Sequence, residues 1–331
     1  MKTILVLGGA GYIGSNVVWG LREKGYNVVV VDDLSSGYIK FIGKESFFKF
    51  HANKDDLEHI AKNYKFDAIC WFSALIEAGE SMKNPGIFLR SNLSENFEVL
   101  EFAKNHDIKH IVFASSAAVY GIPDKQVVSE TDKTDPISVY GLTKLMFEKV
   151  LNFYSNIYGI SSVSLRFFNA SGASFTRDMG EAHKNESHLI PIVFNAALGL
   201  RDCVKIFGND YKTIDGTCIR DYVHIEDLSN AFILSLEYLF DGGRTDVFNL
   251  GNGEGFSVKQ IIDKVKDVTK INFKVEVTDR RPGDPDIEIA DYSKAQKILS
   301  WNPRYKLDDI ISSAWKWHKS DTYASLVRSN S

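Results

Sequence analysis

Cysteine is scarce in this 331-residue sequence: Cys70, Cys203 and Cys218, an odd count with no Cys-x-x-Cys pair. That excludes a disulfide framework and a zinc knuckle, so no metal ligand set is assigned and a reduced cytoplasm is expected. Charge of one sign is not in excess either. A formal net charge of −4 offers no general attraction to nucleic acid or anionic membrane, so an anionic ligand must be held by local groups. Long hydrophobic runs are missing. The apolar stretch in "MKTILVLGGAGYIG" is closed early by glycines, too short for a signal peptide core or a membrane span. Repeats and low-complexity tracts are absent too, and only the end of the chain, residues 321–331, reads as a loose tail.

What is present is ordinary globular composition, 44% hydrophobic and 25% charged, in a chain long enough for one large domain or two smaller ones. "TILVLGG", "YNVVVVDD", "FDAICWFSA", "KHIVFASSAAVYG" and "ISSVSLRFFNASG" read as short strands, most of them apolar throughout. Helical segments separate them: "YIGSNVVWGLREKG", ended by Gly25, residues 85 to 105, and "VYGLTKLMFEKVLNFYSNIYG", ended by Gly159. Strands alternating with helices predict an α/β fold with a doubly wound, parallel, Rossmann-type sheet over residues 1–169. Beyond residue 170 loops lengthen, which predicts a smaller C-terminal α/β substrate lobe over 170–320. The strand and helix in "TCIRDYVHIEDLSNAFILSLEYL" are expected to return to the first sheet, part of 217–240, so the lobes interleave.

Gly8, Gly11 and Gly14 form G-x-x-G-x-x-G between the first strand and the first helix. Small residues there let the backbone approach a pyrophosphate, and the helix N-terminus offers unpaired N–H groups to it. A lone glycine triplet is weak evidence, but this one has the required context, including Asp32, with Asp33 beside it, at the end of the next strand. A carboxylate at that point accepts hydrogen bonds from adenosine ribose hydroxyls and repels a 2′-phosphate; the nearest basic residue downstream is Lys40. The pattern predicts NAD rather than NADP. The plain alternative is a glycine turn followed by solvated aspartates.

With a nicotinamide cofactor expected, "SVYGLTK" gains meaning. Tyr140 and Lys144 stand four apart, on one face of a helix. Among 14 tyrosines about one Tyr-x-x-x-Lys arises by chance, so spacing alone decides nothing. As a base at neutral pH a tyrosine needs its pKa lowered by about three units, roughly 4 kcal/mol. A neighbouring ammonium and a cationic nicotinamide both favour the phenolate. Ser115 and Ser116 end a strand at the carboxyl edge of the sheet, where open α/β folds hold their ligands, and Ser116 is the one expected to orient a substrate hydroxyl.

These residues together resemble the extended short-chain dehydrogenase/reductases. More narrowly, "GGAGYIGS", "AGESMKNP", "SSAAVYG", "YGLTKLMFE", "LRFFNASGA", "IFGNDYKTIDGTCIRDYVHIEDL", "FNLGNGEGFSV" and "RRPGDP" look like the UDP-glucose (UDP-galactose) 4-epimerases, in family order across nearly the whole chain. The resemblance implies an isomerase that keeps NAD tightly bound and interconverts the two UDP-hexoses through a 4-keto sugar. Tyr140 would move the proton of the 4-hydroxyl, Ser116 would bind O4, and Lys144 would grip the nicotinamide ribose. On the cofactor it places Tyr12, Ile13, Asp33, Leu34, Phe72, Ser73, Ala74, Asn92 and Phe168 beside the glycines and Asp32. On the nucleotide sugar it places Asn169, His188, Leu189, Lys205, Ile206, Phe207, Arg220, Arg281 and Asp284. It implies a homodimer through the helices near 85–105 and 140–157, and no nucleic-acid or membrane partner.

Departures from the family pattern are specific. Ile76 stands where many relatives carry lysine, and Asn53 where an aspartate usually meets the adenine side. Glu288 occupies the position that gates bulk around the sugar 2-substituent, which leaves N-acetylated sugars open as substrates. Ser116-Ala117-Ala118 lacks the acid–base pair of the 4,6-dehydratases, so elimination of water is not expected. A UDP-glucuronate 4-epimerase stays as the alternative within the family. A non-catalytic NAD-binding regulator is the alternative outside enzymes, and such a protein would usually have lost Tyr140 or Lys144. His224, Trp315, Trp317 and Cys70 read as structural.

Overall fold

Alternate residues of each central strand feed two different cores, which is why these strands are apolar throughout. The computed structural model describes every residue except 45, 52, 53, 282 and 331, and leaves the side chains of 328–330 undescribed; Asn53 therefore lies outside the described residues. The strands in chain order are β1 (Thr3–Leu7), β2 (Asn27–Val31), β3 (Phe47–Phe48), β4 (Ala68–Trp71), β5 (His110–Ser116), β6 (Val127–Val128) and β7 (Ser161–Phe167). Then follow β8 (Asn169–Ser171), β9 (Val204–Phe207), β10 (Ile219–His224), β11 (Asp246–Leu250), β12 (Gly255–Ser257), β13 (Val275–Thr278) and β14 (Ile287–Ala290). The large sheet has the order β11-β7-β5-β4-β1-β2-β3, every neighbouring pair parallel.

Ile4 and Val6 of β1, with Ala68 and Cys70 of β4, enter the first core, beneath the helices Tyr12–Glu23 and Ile225–Phe240. Leu5 and Leu7, with Ile69 and Trp71, enter the second, beneath Lys54–Ala61, Glu95–Asn105 and Val139–Tyr158. This is the doubly wound Rossmann-type sheet that the sequence predicts. Its strand order reverses at β1, so β2 and β4 diverge there and leave a crevice at their carboxyl ends.

The second lobe carries a sheet ordered β12-β10-β14-β6 with β8 attached to β10, and a separate β9–β13 pair. The chain passes from the small sheet back to the large one after β10. The helix Ile225–Phe240 returns to the large sheet, where Ser229 Oγ donates to the Asn16 carbonyl at 3.0 Å. Its preceding strand β10 does not return; β11 joins the large sheet beside β7 instead. The polar Arg220 and the buried Asp221, which accepts the N–H groups of Asn252, Gly253 and Ala290, suit β10 to the smaller sheet better than to a wholly apolar one.

Three further expectations are corrected. The helix over 85–105 is one path in three pieces, Pro85–Leu89, a π-helical turn at Arg90–Ser94, and Glu95–Asn105. The strand in "ISSVSLRFFNASG" breaks at Phe168, so β7 stays in the large sheet and β8 crosses to the small one. The end of the chain is not loose: Asp321–Asn330 is a helix that buries Tyr323 and Leu326 in the first core. The Tyr323 hydroxyl donates to Asn195 Oδ1 at 2.6 Å.

Candidate active site

At the carboxyl end of β1, Gly8 turns the chain with φ +72°, a conformation that favours glycine. A Cβ on Gly14 would lie 2.3 Å from the Gly8 carbonyl oxygen, so only glycine lets the first helix seat against the loop. Gly11 is different. A Cβ there would make only an ordinary contact, with Gly8 O at 3.5 Å, so the protein itself does not require glycine at that point. Such a cradle fits a pyrophosphate approaching the N-terminus of Tyr12–Glu23.

Asp32 follows β2. Its two carboxylate oxygens accept the N–H groups of Ala10 (2.9 Å) and Leu34 (2.8 Å), which ties the strand end to the glycine loop. Burial raises its pKa, and those two N–H groups work against the rise. Leu34 sits at φ +62°. Asp33 turns outward, accepting from Ser35 N and facing His51 at 3.3 Å. Lys40 is engaged by Thr322 and Ser325 of the C-terminal helix. Beyond β4, Phe72 packs on Phe232 with ring centroids 4.5 Å apart. The Ser73 hydroxyl is buried with no hydrogen-bond partner, an orphan that a bound cofactor would satisfy.

Tyr140 and Lys144 stand on the helix Val139–Tyr158. Ser138 caps the helix Val139–Tyr158, accepting from Gly141 N at 3.1 Å. A Cβ on Gly141 would fall 2.4 Å from the Ala118 carbonyl oxygen, so glycine brings this helix hard against the turn that follows Ser116. The Tyr140 phenol is thereby brought beside Ser116, whose hydroxyl favours the ionised form of the phenol. Lys144 is almost wholly buried; its ammonium donates to the Ala114 carbonyl at 2.8 Å and lies 5.7 Å from the centre of the Tyr140 ring.

The electrostatics differ from the simple expectation. Burial raises the Tyr140 pKa, and the Ser116 hydrogen bond only partly opposes it. Burial also pushes Lys144 down to about 7 against the pull of Glu148. The polypeptide alone therefore holds a neutral phenol beside a lysine that is charged only part of the time near neutral pH.

Ser115 and Ser116 have separate tasks. Ser115 Oγ donates to Glu148, whose carboxylate takes Arg166 in bidentate fashion at 2.9 and 2.6 Å. Arg166 reaches on to the Tyr120 hydroxyl (3.0 Å), which donates to Asn249 Oδ1 (2.7 Å). This buried chain supports the floor of the site. Sequence reasoning missed it, although Glu148 stands four residues beyond Lys144, one helical turn further along the same face. Ser81 was also missed as a positioning group: its hydroxyl accepts the Tyr140 N–H at 3.1 Å.

Other predicted residues fall as follows. Asn92 spends its amide on Leu75, at 2.8 and 2.9 Å, and on Thr143, so it braces the loop after β4. The Tyr12 hydroxyl donates to the Gly172 carbonyl at 2.7 Å, Ile13 packs on the first core, and Phe168 is buried beside Tyr120. Asn169 holds the Asp221 carbonyl at 2.8 Å. Arg220 Nη1 donates to the Ile219 carbonyl at 2.8 Å, while the buried Nη2 faces Asp284 Oδ1 at 3.4 Å without a hydrogen bond. Glu288, opposite Arg220 across β10 and β14, is pushed up to about 7 by burial. Arg281 stacks 4.0 Å over the Phe207 ring. Ile206 points into the lobe's core while Lys205 and Phe207 face the other way. Leu189 opens the helix Leu189–Ala197, and His188, just before it, binds Glu181. Ile76 is partly exposed, bonded only to the neighbouring Glu77 through its N–H.

His224 is structural, as expected: it is fully buried, bonded to Ser313 at 3.1 Å and to the Glu226 N–H at 3.1 Å. Trp317 and Cys70 are core residues, and Trp315 stacks on Phe194. Among the described residues no helix is long and apolar enough to cross a membrane.

Residues 4–251 match the family model described as the NAD dependent epimerase/dehydratase family. The chain is 44% identical over 318 residues to a UDP-glucose 4-epimerase of Halalkalibacterium halodurans, covering 96% of this chain and 95% of that protein. A solved UDP-glucose 4-epimerase structure superposes with a TM-score of 0.94 at 41% identity, covering 97% and 98% of the two chains. The Brucella ovis UDP-glucose 4-epimerase, solved in complex with NAD, superposes at 0.93 with 36% identity, covering 96% and 98%.

Proposed function

We propose that this chain, which belongs to the NAD dependent epimerase/dehydratase family, interconverts UDP-glucose and UDP-galactose by inverting carbon 4 of the sugar. The observation that carries this reading is the meeting of Tyr140 with Ser116 at the carboxyl edge of the sheet, across from the glycine cradle and Asp32. The orphaned Ser73 hydroxyl and the open side of Gly11 fit NAD. When bound, NAD supplies the acceptor, and then the donor, of the hydrogen at carbon 4.

The chain's own residues do the rest. Tyr140 takes the proton from the 4-hydroxyl as the keto sugar forms and gives it back to O4 when the sugar, turned to present its other face, is reduced. Ser116 bridges O4 to the phenol, and Ser81 fixes the backbone of Tyr140. Lys144 would hold the nicotinamide ribose when NAD is bound, and Asp32, with lone pairs left beyond Ala10 and Leu34, would hold the adenosine ribose. Arg220, whose buried Nη2 makes no hydrogen bond and only a 3.4 Å ion pair with Asp284, and Arg281 suit a diphosphate, since guanidinium matches phosphate in bidentate fashion. Phe207, backed by Arg281, offers a flat face to a base. Ala117 and Ala118 provide no carboxylate, so the site moves one proton to and from O4 and has no group to expel water.

A homodimer completes the reading. Leu142, Met146, Phe153 and Ile157 are exposed at spacings of four, seven and four, one stripe along the helix Val139–Tyr158. Exposed Ile87 and Phe97 on the adjacent segment extend the stripe's apolar surroundings. Such a face suits a second copy of itself.

Incubating the purified protein with UDP-galactose and measuring UDP-glucose tests the function. Conversion is expected; protein with NAD bound and no conversion refutes it. UDP-N-acetylglucosamine in a parallel arm reads the effect of Glu288 on substrate range.

A further inference from the structure

The segment before the helix Leu189–Ala197 gathers Glu181, His183, Glu186 and His188. One ligand atom from each, two imidazole nitrogens and two carboxylate oxygens, lies within 4.8 Å of every other. His183 Nδ1 is 3.1 Å from Glu181 Oε1 and 3.7 Å from Glu186 Oε2; His188 Nδ1 is 3.6 Å from Glu186 Oε1 and in direct contact with Glu181 Oε1. Each imidazole has one Nδ1 and therefore at most one proton there, yet each faces both carboxylates. The four groups do not divide into two separate ion pairs; they converge on one point.

We propose that these four side chains bind a single first-row divalent cation, Zn²⁺ by the donor set. Four ligands at bonds of about 2.0–2.2 Å around a tetrahedral ion stand about 3.3 Å apart. The His183–Glu181 distance of 3.1 Å, and the 3.7 and 3.6 Å from the two imidazoles to one or the other oxygen of Glu186, lie near that value. Two imidazoles and two carboxylates are a borderline-soft, charge-balancing set, unlike the all-oxygen cages of calcium or magnesium. The ligands are also pre-oriented. Glu186 Oε1 accepts the backbone N–H groups of Ser187 and His188, each at 2.9 Å. The Glu181 carbonyl accepts from Trp317 Nε1 at 2.7 Å, and the Ala182 carbonyl from the Tyr38 hydroxyl at 2.8 Å. Such outer contacts are what hold metal ligands in place. The ion pins the crossing segment between the Rossmann lobe, through Tyr38, and the helix that His188 introduces. Its role is structural, since all four positions are taken by protein groups.

The test uses the full-length protein, stripped with chelator and dialysed, then titrated with ZnCl₂ by calorimetry and loaded separately with Co²⁺. Uptake of one Zn²⁺ per chain, a raised melting temperature, and the intense visible bands of four-coordinate cobalt are expected. The H183Q/H188Q double variant should lose all three. No stoichiometric uptake by the wild type overturns the proposal, and shows that protons alone bridge the four groups. Equal uptake by the double variant also overturns it, because the ion then sits elsewhere, for example at the partly exposed Cys203. If the double variant does not fold, the wild-type cobalt spectrum decides: four-coordinate bands sustain the site, and their absence refutes it.

Discussion

Replacing Glu148 with leucine should expose how much the buried chain beneath the site contributes. The Glu148 and Arg166 side chains are 5% and 6% exposed, so the guanidinium would be left with two unpaired donors and no countercharge in the interior. Breaking a buried pair on one side costs about 3–5 kcal/mol, a large part of the ~5–15 kcal/mol that holds a typical domain together. Replacing both, as E148L/R166M, removes the stranded charge and should return stability to within ~2 kcal/mol of the wild type. The single change also has a catalytic sign. Glu148 opposes the burial that already brings Lys144 down to about 7, so its loss lowers that pKa further and leaves less ammonium at neutral pH. Urea unfolding followed by tryptophan fluorescence gives the first quantity, and the pH profile of kcat gives the second. A single variant within 1 kcal/mol of wild type, or a double variant as unstable as the single, would refute the reasoning.

Three further outcomes follow from the geometry. Gly14→Ala places a methyl 2.3 Å from the Gly8 carbonyl and should displace the first helix, so NAD retained through gel filtration should fall to a trace; full retention would contradict the cradle. Burial holds His224 down to about 4, against about 6.5 in the unfolded chain, while Asp309 opposes the shift and Glu226, Ser313, Phe175 and Tyr305 face the ring. The unfolded chain thus takes the proton first, and this group's stabilisation, up to ~3 kcal/mol, is present above pH 6.5 and lost as pH falls towards 4. His224→Asn, which can still cap the following helix, should flatten that limb of the stability profile; an unchanged slope would exclude His224 as its source. Phe153→Glu on the exposed stripe should shift the protein from dimer to monomer in sedimentation at micromolar concentration, and a wild type already monomeric would remove the proposed interface.

Much of this architecture is written in local patterns. Continuous apolar strands, the glycine triplet and Asp32 placed the sheet and its crevice, because burial on two faces and close backbone approach leave unambiguous residue types. The choice of Ser116 over Ser115 was legible only as position; its reason, the capture of Ser115 by Glu148, is a long-range contact. The π-helical turn at Arg90–Ser94 carries no proline or glycine to announce it. Tyr323, Leu326 and Val327 had helical spacing, but a short polar setting masked it until the first core supplied a docking surface. The titration of Tyr140 ran against expectation because desolvation, invisible in a linear sequence, outweighs the lowering by Ser116, and Glu77 adds to the rise. The convergence of residues 181, 183, 186 and 188 belongs with these: its spacing matches no familiar ligand pattern, and only the folded segment brings the four together.

The central claim is that Tyr140 moves the proton at O4 of a UDP-hexose. Turnover of UDP-galactose to UDP-glucose by Tyr140→Phe, measured beside wild type with NAD content determined for both, tests it most directly. The variant should keep its NAD and lose at least about 100-fold in kcat, the range of general acid–base catalysis. A variant that keeps both its cofactor and near-normal kcat would contradict the account.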